Sequence, residues 1–128
     1  RTALASLALT TDTSILTALG NDYGFERIFA RQVQAHGAEG DVLIGISTSG
    51  NSLNIVEMMK VAARLGIYRA AFTGADGGRL AAHVDLCIRV PSASTARIQE
   101  VHILIGHILC DLLERSAAAT GDAQVSSA

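Results

Sequence analysis

The chain has 128 residues and a net charge of −2, with 49% of its residues hydrophobic and only 17% charged. That length suits one domain with a real core, whose surface must be largely uncharged or covered. No basic run supplies a nucleic-acid footprint, the longest apolar run falls far short of the ~18 residues of a membrane span, and no leader pattern opens the chain. Cys87 and Cys110 lie inside apolar stretches and are expected to be buried thiols of a reduced compartment, the cytoplasm, rather than a disulfide or a metal pair.

In chain order, Leu4–Leu9 has the composition of a strand and is followed by the cap-like Thr10-Thr11-Asp12-Thr13 and a helical run to Leu19. Phe25, Ile28, Phe29 and Val33 recur at helical spacing through His36, and Gly37 stops that helix. Val42–Ile46 is a compact β-branched run, the form of a strand buried on both faces. Ser52–Leu65 carries a broad apolar face with Gly66 as its stop. Tyr68–Thr73 and Leu86–Val90 are further strands, separated by Gly74-Ala-Asp-Gly-Gly78 and a short helix. Pro91 leads into a long helix over Arg97–Arg115, and the small, polar Ala117–Ala128 is expected to be a flexible tail. Strands alternating with helices imply crossover units, hence a three-layer α/β/α sandwich around a parallel sheet, flavodoxin-like, spanning residues 1–116.

Residues 45–52, Gly-Ile-Ser-Thr-Ser-Gly-Asn-Ser, place Ser47, Thr48, Ser49 and Ser52 between a strand and a helix without any Lys or Arg. In such sheets ligands sit beyond the carboxyl ends of the strands, and the helix N-terminus there presents unpaired N–H groups and partial positive charge. Hydroxyls each donate one hydrogen bond, and Gly50 allows close backbone approach, so the segment suits a phosphate held without a cation. The alternative is that Asn51 or Ser52 only caps the helix while the other hydroxyls fill turns. Neither the P-loop nor the dinucleotide fingerprint is present.

This arrangement resembles the sugar-isomerase (SIS) phosphosugar-binding domain. Thr11-Asp-Thr-Ser14, Gly20-Asn-Asp-Tyr-Gly24, the run Gly40–Ser52, Thr73-Gly74 with Gly77-Gly78, and Arg97-Ile-Gln-Glu-Val-His102 followed by His107 narrow the resemblance to the phosphoheptose (sedoheptulose 7-phosphate) isomerase family over residues 4–115. The resemblance implies that Ser47, Thr48, Ser49 and Ser52 bind phosphate and nearby sugar hydroxyls, and that Asn21, Asp22 and Gln99 contact the sugar. It places His107 at the reacting end as the catalytic acid–base, with Gln99 and His107 as ligands of a zinc ion. It further implies an enediol isomerisation of sedoheptulose 7-phosphate to D-glycero-D-manno-heptose 7-phosphate, in lipopolysaccharide core synthesis, by a homotetramer. The family's Gly-Asn-Gly-Gly-Ser loop and its His/Glu helix lie upstream of the part matched, so the chain, which begins at Arg1 without Met, is expected to be the C-terminal part of a longer pattern. Ala96 stands where some members place an Asp, which removes one sugar contact.

The other candidates have plainer readings. His36 and His83 close helical stretches as caps or solvated groups. His102 and His107 stand ~140° apart around a helix, so they cannot share one face, while Gln99 and His107 are separated by ~12 Å of rise, which favours a site at an interface between chains. Glu100 on the first turn suits a dipole or salt-bridge role, and Arg97 is expected to pair with it or with a neighbouring subunit. The competing functions are a non-catalytic member of the same fold group that binds a replication initiator, against which His107 argues, and a sugar-phosphate sensor, which would bring a DNA-binding module. Broadly apolar helices with few charges point to an oligomer.

Overall fold

The structure, a computed structural model, describes residues 3–125, and side chains through residue 119. Helix α1 covers Thr13–Tyr23, and a 3-10 turn at Phe25–Arg27 leads into α2, Ile28–His36. Strand β1, Val42–Ser47, is followed by α3, Leu53–Arg64, and β2, Tyr68–Thr73. A 3-10 segment, Gly78–His83, precedes β3, Leu86–Arg89, and α4 runs from Thr95 to Val125. The strands pair in parallel in the order β1-β2-β3, with Val42 opposite Tyr68 and Ser47 opposite Thr73.

Local chemistry sets most of these boundaries. Asp12 caps α1, its Oδ1 accepting the Ile15 N–H at 2.9 Å. Gly37 closes α2 by donating to the Val33 carbonyl, and Gly66, at φ 71°, follows the last turn of α3 in a conformation that a Cβ would strain. Helix α1 runs through Gly20 to Tyr23, past the expected end at Leu19.

The core lies between α2, α3 and one face of the sheet. Val56, Met59 and Ala62 of α3 are wholly buried against Ala30 and Val33 of α2, Ala71 of β2, and Leu80. Each large apolar side chain buried this way contributes ~1.5–3 kcal/mol of transfer free energy. Gly45 is what lets α3 lie down on β1, because a Cβ there would collide with Met59 and Ile55. On the opposite face, the start of α4 brings His102 against Phe72, with ring centres 5.8 Å apart.

Four expectations are corrected. Leu4–Leu9 pairs with no strand; residues 5–10 instead form one wall of an open groove of about 980 Å³ along the free edge of β1, tethered where Gln32 Nε2 donates to the Leu9 carbonyl at 3.0 Å. Strand β1 is not buried on both faces, since Val42, Ile44 and Ile46 are each about half exposed on the side away from α3, where no helix among the described residues covers them. Cys110 is exposed and Cys87 only half-buried; an apolar neighbourhood in sequence places a thiol inside only where the helix face it occupies is covered. Finally, α4 continues past its expected end at Arg115, through Ala117, Ala118 and Ala119 to Val125, alanine being the strongest helix former; residues 126–128 of the expected tail lie outside the described residues.

Candidate functional site

The hydroxyl segment leaves the carboxyl end of β1 as a tight turn and enters α3. The Gly50 N–H donates to the Ser47 carbonyl at 3.0 Å, with Gly50 at φ 65°. Ser47 is buried, and its Oγ lies 2.9 Å from Ser52 Oγ. Ser52 occupies the N-cap position of α3 with cap-like extended backbone, yet its side chain makes no capping bond to that helix. The hydroxyl that would ordinarily satisfy the first amides of α3 is turned toward Ser47 instead. The plain capping reading of Ser52 therefore fails; Asn54 Oδ1 accepts the Ile55 N–H at 2.9 Å, and the amides ahead of it keep their capacity for an acceptor from outside the chain.

Asn51 organises the rest of the turn. Its backbone N–H donates to Ser49 Oγ at 3.1 Å and its Nδ2 to the Ser49 carbonyl at 3.0 Å, while its Oδ1 accepts the Arg79 N–H at 3.1 Å. The Leu80 N–H reaches the Gly50 carbonyl at 2.9 Å. The hydroxyl turn is thus strapped to the 3-10 segment that follows β2, and the two backbones touch. A Cβ on Gly50 would collide with the Gly77 carbonyl, and one on Gly78 would stand 2.5 Å from the Ser49 carbonyl. On the other side, the Gly74 N–H donates to the Thr48 carbonyl at 2.9 Å. The carboxyl ends of β1 and β2, the 3-10 segment and the head of α3 are drawn together at the same edge of the sheet, with neutral hydrogen-bonding groups and no ionisable side chain between residues 47 and 52. Such a cradle can bind an oxyanion through oriented dipoles, since donors already held in place need no reorganisation.

The remaining expected site residues lie elsewhere. Asn21 and Asp22 are exposed on the last turn of α1, where Asn21 Nδ2 donates to Asp22 Oδ1 at 2.8 Å, and α1 packs on the first 3-10 turn and α2. Gln99 and His107 are both exposed on α4. His102, on another side of that helix, is buried, as the ~140° separation requires. Arg97 Nη2 and Glu100 Oε1 pair at 2.6 Å on the surface, the salt-bridge role expected for Glu100. His36 is exposed at the end of α2, and His83 offers its carbonyl to Arg69 Nη1 at 3.1 Å.

Gln99 and His107 do not by themselves fit a zinc ion. Ligand bonds of ~2 Å cannot span a rise of ~12 Å along one helix, and among the described residues no group of three or more His, Cys, Asp or Glu is placed to hold a metal. Sequence reasoning missed Asn51 as an organiser of the turn and His102 as a buried polar contact. The Asn in Gly-Asn-Ser was legible as a turn residue, but its reach to Arg79, 28 positions away, was not.

Comparison with known proteins bears on this geometry. The SIS domain family matches residues 1–74. A phosphoheptose isomerase of Aneurinibacillus thermoaerophilus is 60% identical over 116 residues, covering 91% of this chain and 59% of that protein. Phosphoheptose isomerase 2 of Campylobacter jejuni is 56% identical, covering 94% and 60%. Among solved structures, a phosphoheptose isomerase from Neisseria gonorrhoeae superposes with TM-score 0.84 at 54% identity, over 86% of this chain and 61% of that one. One from Francisella tularensis gives TM-score 0.88 at 46% identity, over 90% and 62%. The chain spans about three fifths of the length of these relatives. With the family model covering more than half of its residues and the hydroxyl turn standing between β1 and α3, the chain belongs to the SIS domain family.

Proposed function

We propose that this chain provides the phosphate grip and part of the reacting end of a phosphoheptose isomerase, which converts sedoheptulose 7-phosphate to D-glycero-D-manno-heptose 7-phosphate through an enediol. The observation that carries the proposal is the Ser47–Ser52 pair at an α3 N-terminus whose N-cap residue makes no capping bond, in a chain 54–60% identical to several proteins named phosphoheptose isomerase. Ser47, Thr48, Ser49 and Ser52 hold the phosphate, with amides of the first turn of α3 beside them. Asn21, Asp22 and Gln99 contact the sugar, and His107 is the acid–base group. These last four converge on the substrate only in an assembled oligomer, a tetramer in this reading.

Moving a proton between C1 and C2 requires a base near those carbons and a donor for their oxygens. The grip on the distant phosphate orients the carbons, so part of the binding energy appears as rate. Zinc belongs to the reading as a group completed across chains; Gln99 and His107 of one chain do not close its coordination, and no step is routed through it. The same reading places the enzyme in the cytoplasm, at the start of the heptose supply for lipopolysaccharide core. Among the described residues, no helix is long and apolar enough to cross a membrane.

The test is coupled isomerase kinetics on sedoheptulose 7-phosphate, with binding by calorimetry. His107→Asn is expected to lower turnover by ~10²–10⁴-fold with phosphate affinity retained, since the two functions sit on different elements. Wild-type turnover in His107→Asn removes His107 from the mechanism. No turnover in the wild type, beside tight binding of a replication initiator, transfers the case to the binding-module reading.

A further inference from the structure

Among the described side chains of α4, only Ile98 and His102 are buried. The long helix therefore meets the body of the domain through its first two turns, and both residues land on the same place. A Cβ on Gly74 would stand 2.6 Å from the Thr48 carbonyl oxygen and 2.7 Å from Ile98 Cδ1, so the backbone and α4 close in on this glycine from two sides. His102 Nε2 lies 3.1 Å from the Thr73 carbonyl. A carbonyl oxygen only accepts, so Nε2 carries a proton, and in the neutral ring Nδ1 is then a bare acceptor. Nδ1 is buried with no hydrogen-bonding partner. A buried polar atom left in that state is rare in native structures, and an apolar side chain at this position would avoid it.

The peptide group between Thr73 and Gly74 gives His102 its significance. Its carbonyl accepts from His102 Nε2 and from the Val90 N–H at 3.0 Å, and its N–H donates to the Thr48 carbonyl at 2.9 Å. One rigid plane is thus held by α4 at one end and holds the hydroxyl turn at the other. Rotation of that plane would break all three bonds at once.

We propose that His102 is a positioning residue: through the Thr73–Gly74 peptide it fixes Thr48, and with it the hydroxyl turn, relative to α4. The proposal rests on the reading of that turn as an oxyanion cradle. It accounts for a histidine where packing against Phe72 alone would accept Leu or Phe, and for the tolerated cost of the bare Nδ1. It also supplies the link between the phosphate grip and the helix that carries Gln99 and His107.

The test uses 15N-labelled protein with inorganic phosphate as the probe. In the wild type the His102 imidazole nitrogens are expected to report a protonated Nε2 and a bare Nδ1. His102→Asn, whose amide ends short of the Nε2 position, is expected to speed Gly74 amide exchange about tenfold relative to neighbouring sheet amides and to raise the phosphate Kd about fivefold, the scale of one lost hydrogen bond. His102→Gln, whose amide reaches that position, is expected to bring both back to within about twofold of the wild type. Three results overturn the proposal: acceleration spread evenly over β1 and β2 with the phosphate Kd of the folded protein unchanged; wild-type Gly74 exchange in folded His102→Asn; or a wild-type tautomer protonated at Nδ1, which requires no variant to fold. Gly74 exchange is read without ligand or turnover. A wild type that binds no phosphate therefore strikes the cradle reading alone, and the tautomer and exchange results still decide the role of His102.

Discussion

Ser47 Oγ and Ser52 Oγ stand 2.9 Å apart across the turn that joins β1 to α3, the first buried at the end of the strand and the second at the head of the helix. A pair so placed can open toward an incoming phosphate oxygen without rearrangement of the backbone. Phosphate titration is expected to shift the amides of residues 47–53 and leave those of α1 unmoved. Ser47→Ala and Ser52→Ala should each raise the phosphate Kd about tenfold, in the range of hydrogen bonds to a charged group. Because the two hydroxyls share one bond, the double variant should lose less than the sum of the singles. Amides 47–53 that stay fixed at saturating phosphate would remove the cradle.

Gly50→Ala should be among the most damaging small changes in the chain. At φ 65°, with the Gly77 carbonyl where the Cβ must go, it faces both backbone strain and a collision with another backbone. A loss of ~2 kcal/mol or more in urea unfolding is expected, with weakened phosphate binding because the turn must lift off the Gly77-Gly78 segment. Gly106→Ala is the control: nothing stands within 4 Å of its Cβ and it lies inside α4, so stability should rise by ~0.5–1 kcal/mol. Equal effects of the two substitutions would contradict the contact between the two loops.

Val101, Leu104, Ile108 and Leu112 are exposed at helical spacing along one stripe of α4. A stripe of that kind on an isolated chain is an association surface, and light scattering is expected to return a homo-oligomer, most simply a tetramer. Ile108→Asp should shift the mass toward the monomer at equal concentration. A monomeric wild type at working concentration would reject this reading.

Acid stability should carry a contribution from Asp85. Hydrogen bonds from the Arg69 side chain, at 2.6 Å and 3.0 Å, and from the Arg69 backbone N–H at 2.8 Å hold its carboxyl below the ordinary value of 3.8. The folded pKa is depressed, so the stabilisation is complete above that ordinary value and is lost as pH falls below it through the folded value. Asp85→Asn should flatten the acid limb of a stability–pH curve below about pH 4 by about one titrating group. The effect should shrink in high salt, because the pair is solvent-exposed. An unchanged acid limb would show that the pair does not persist in solution.

Much of the molecule was legible from local signals. Asp12 before α1, Gly37 after α2 and Gly66 after α3 act within a few residues, through caps and positive φ, and each stands where the pattern placed it. The position of the hydroxyl turn between a strand and a helix was equally local. Whether Ser52 caps α3 was not, because its hydroxyl chooses between a helix amide and Ser47, and that choice depends on how tightly the turn is folded by Asn51, Arg79 and Leu80.

The readings of Leu4–Leu9, of β1 and of Cys110 failed because each depended on a distant partner. Leu4–Leu9 has strand composition, but a strand exists only when its backbone groups are paired, and this segment faces β1 across an open groove. Val42, Ile44 and Ile46 are apolar enough for a strand buried on both faces, yet burial requires a layer on each face and only α3 supplies one. Cys110 and His102 sit in equally apolar surroundings along the chain; the tertiary structure exposed the thiol and buried the imidazole. The amino-acid order set the propensities, the periods and the hydroxyl chemistry, because those act over one turn of helix or one pleat. Which faces are covered, and which peptide group joins α4 to the hydroxyl turn, was decided by contacts between elements 25 or more residues apart, such as Thr73 with His102, which no local pattern encodes.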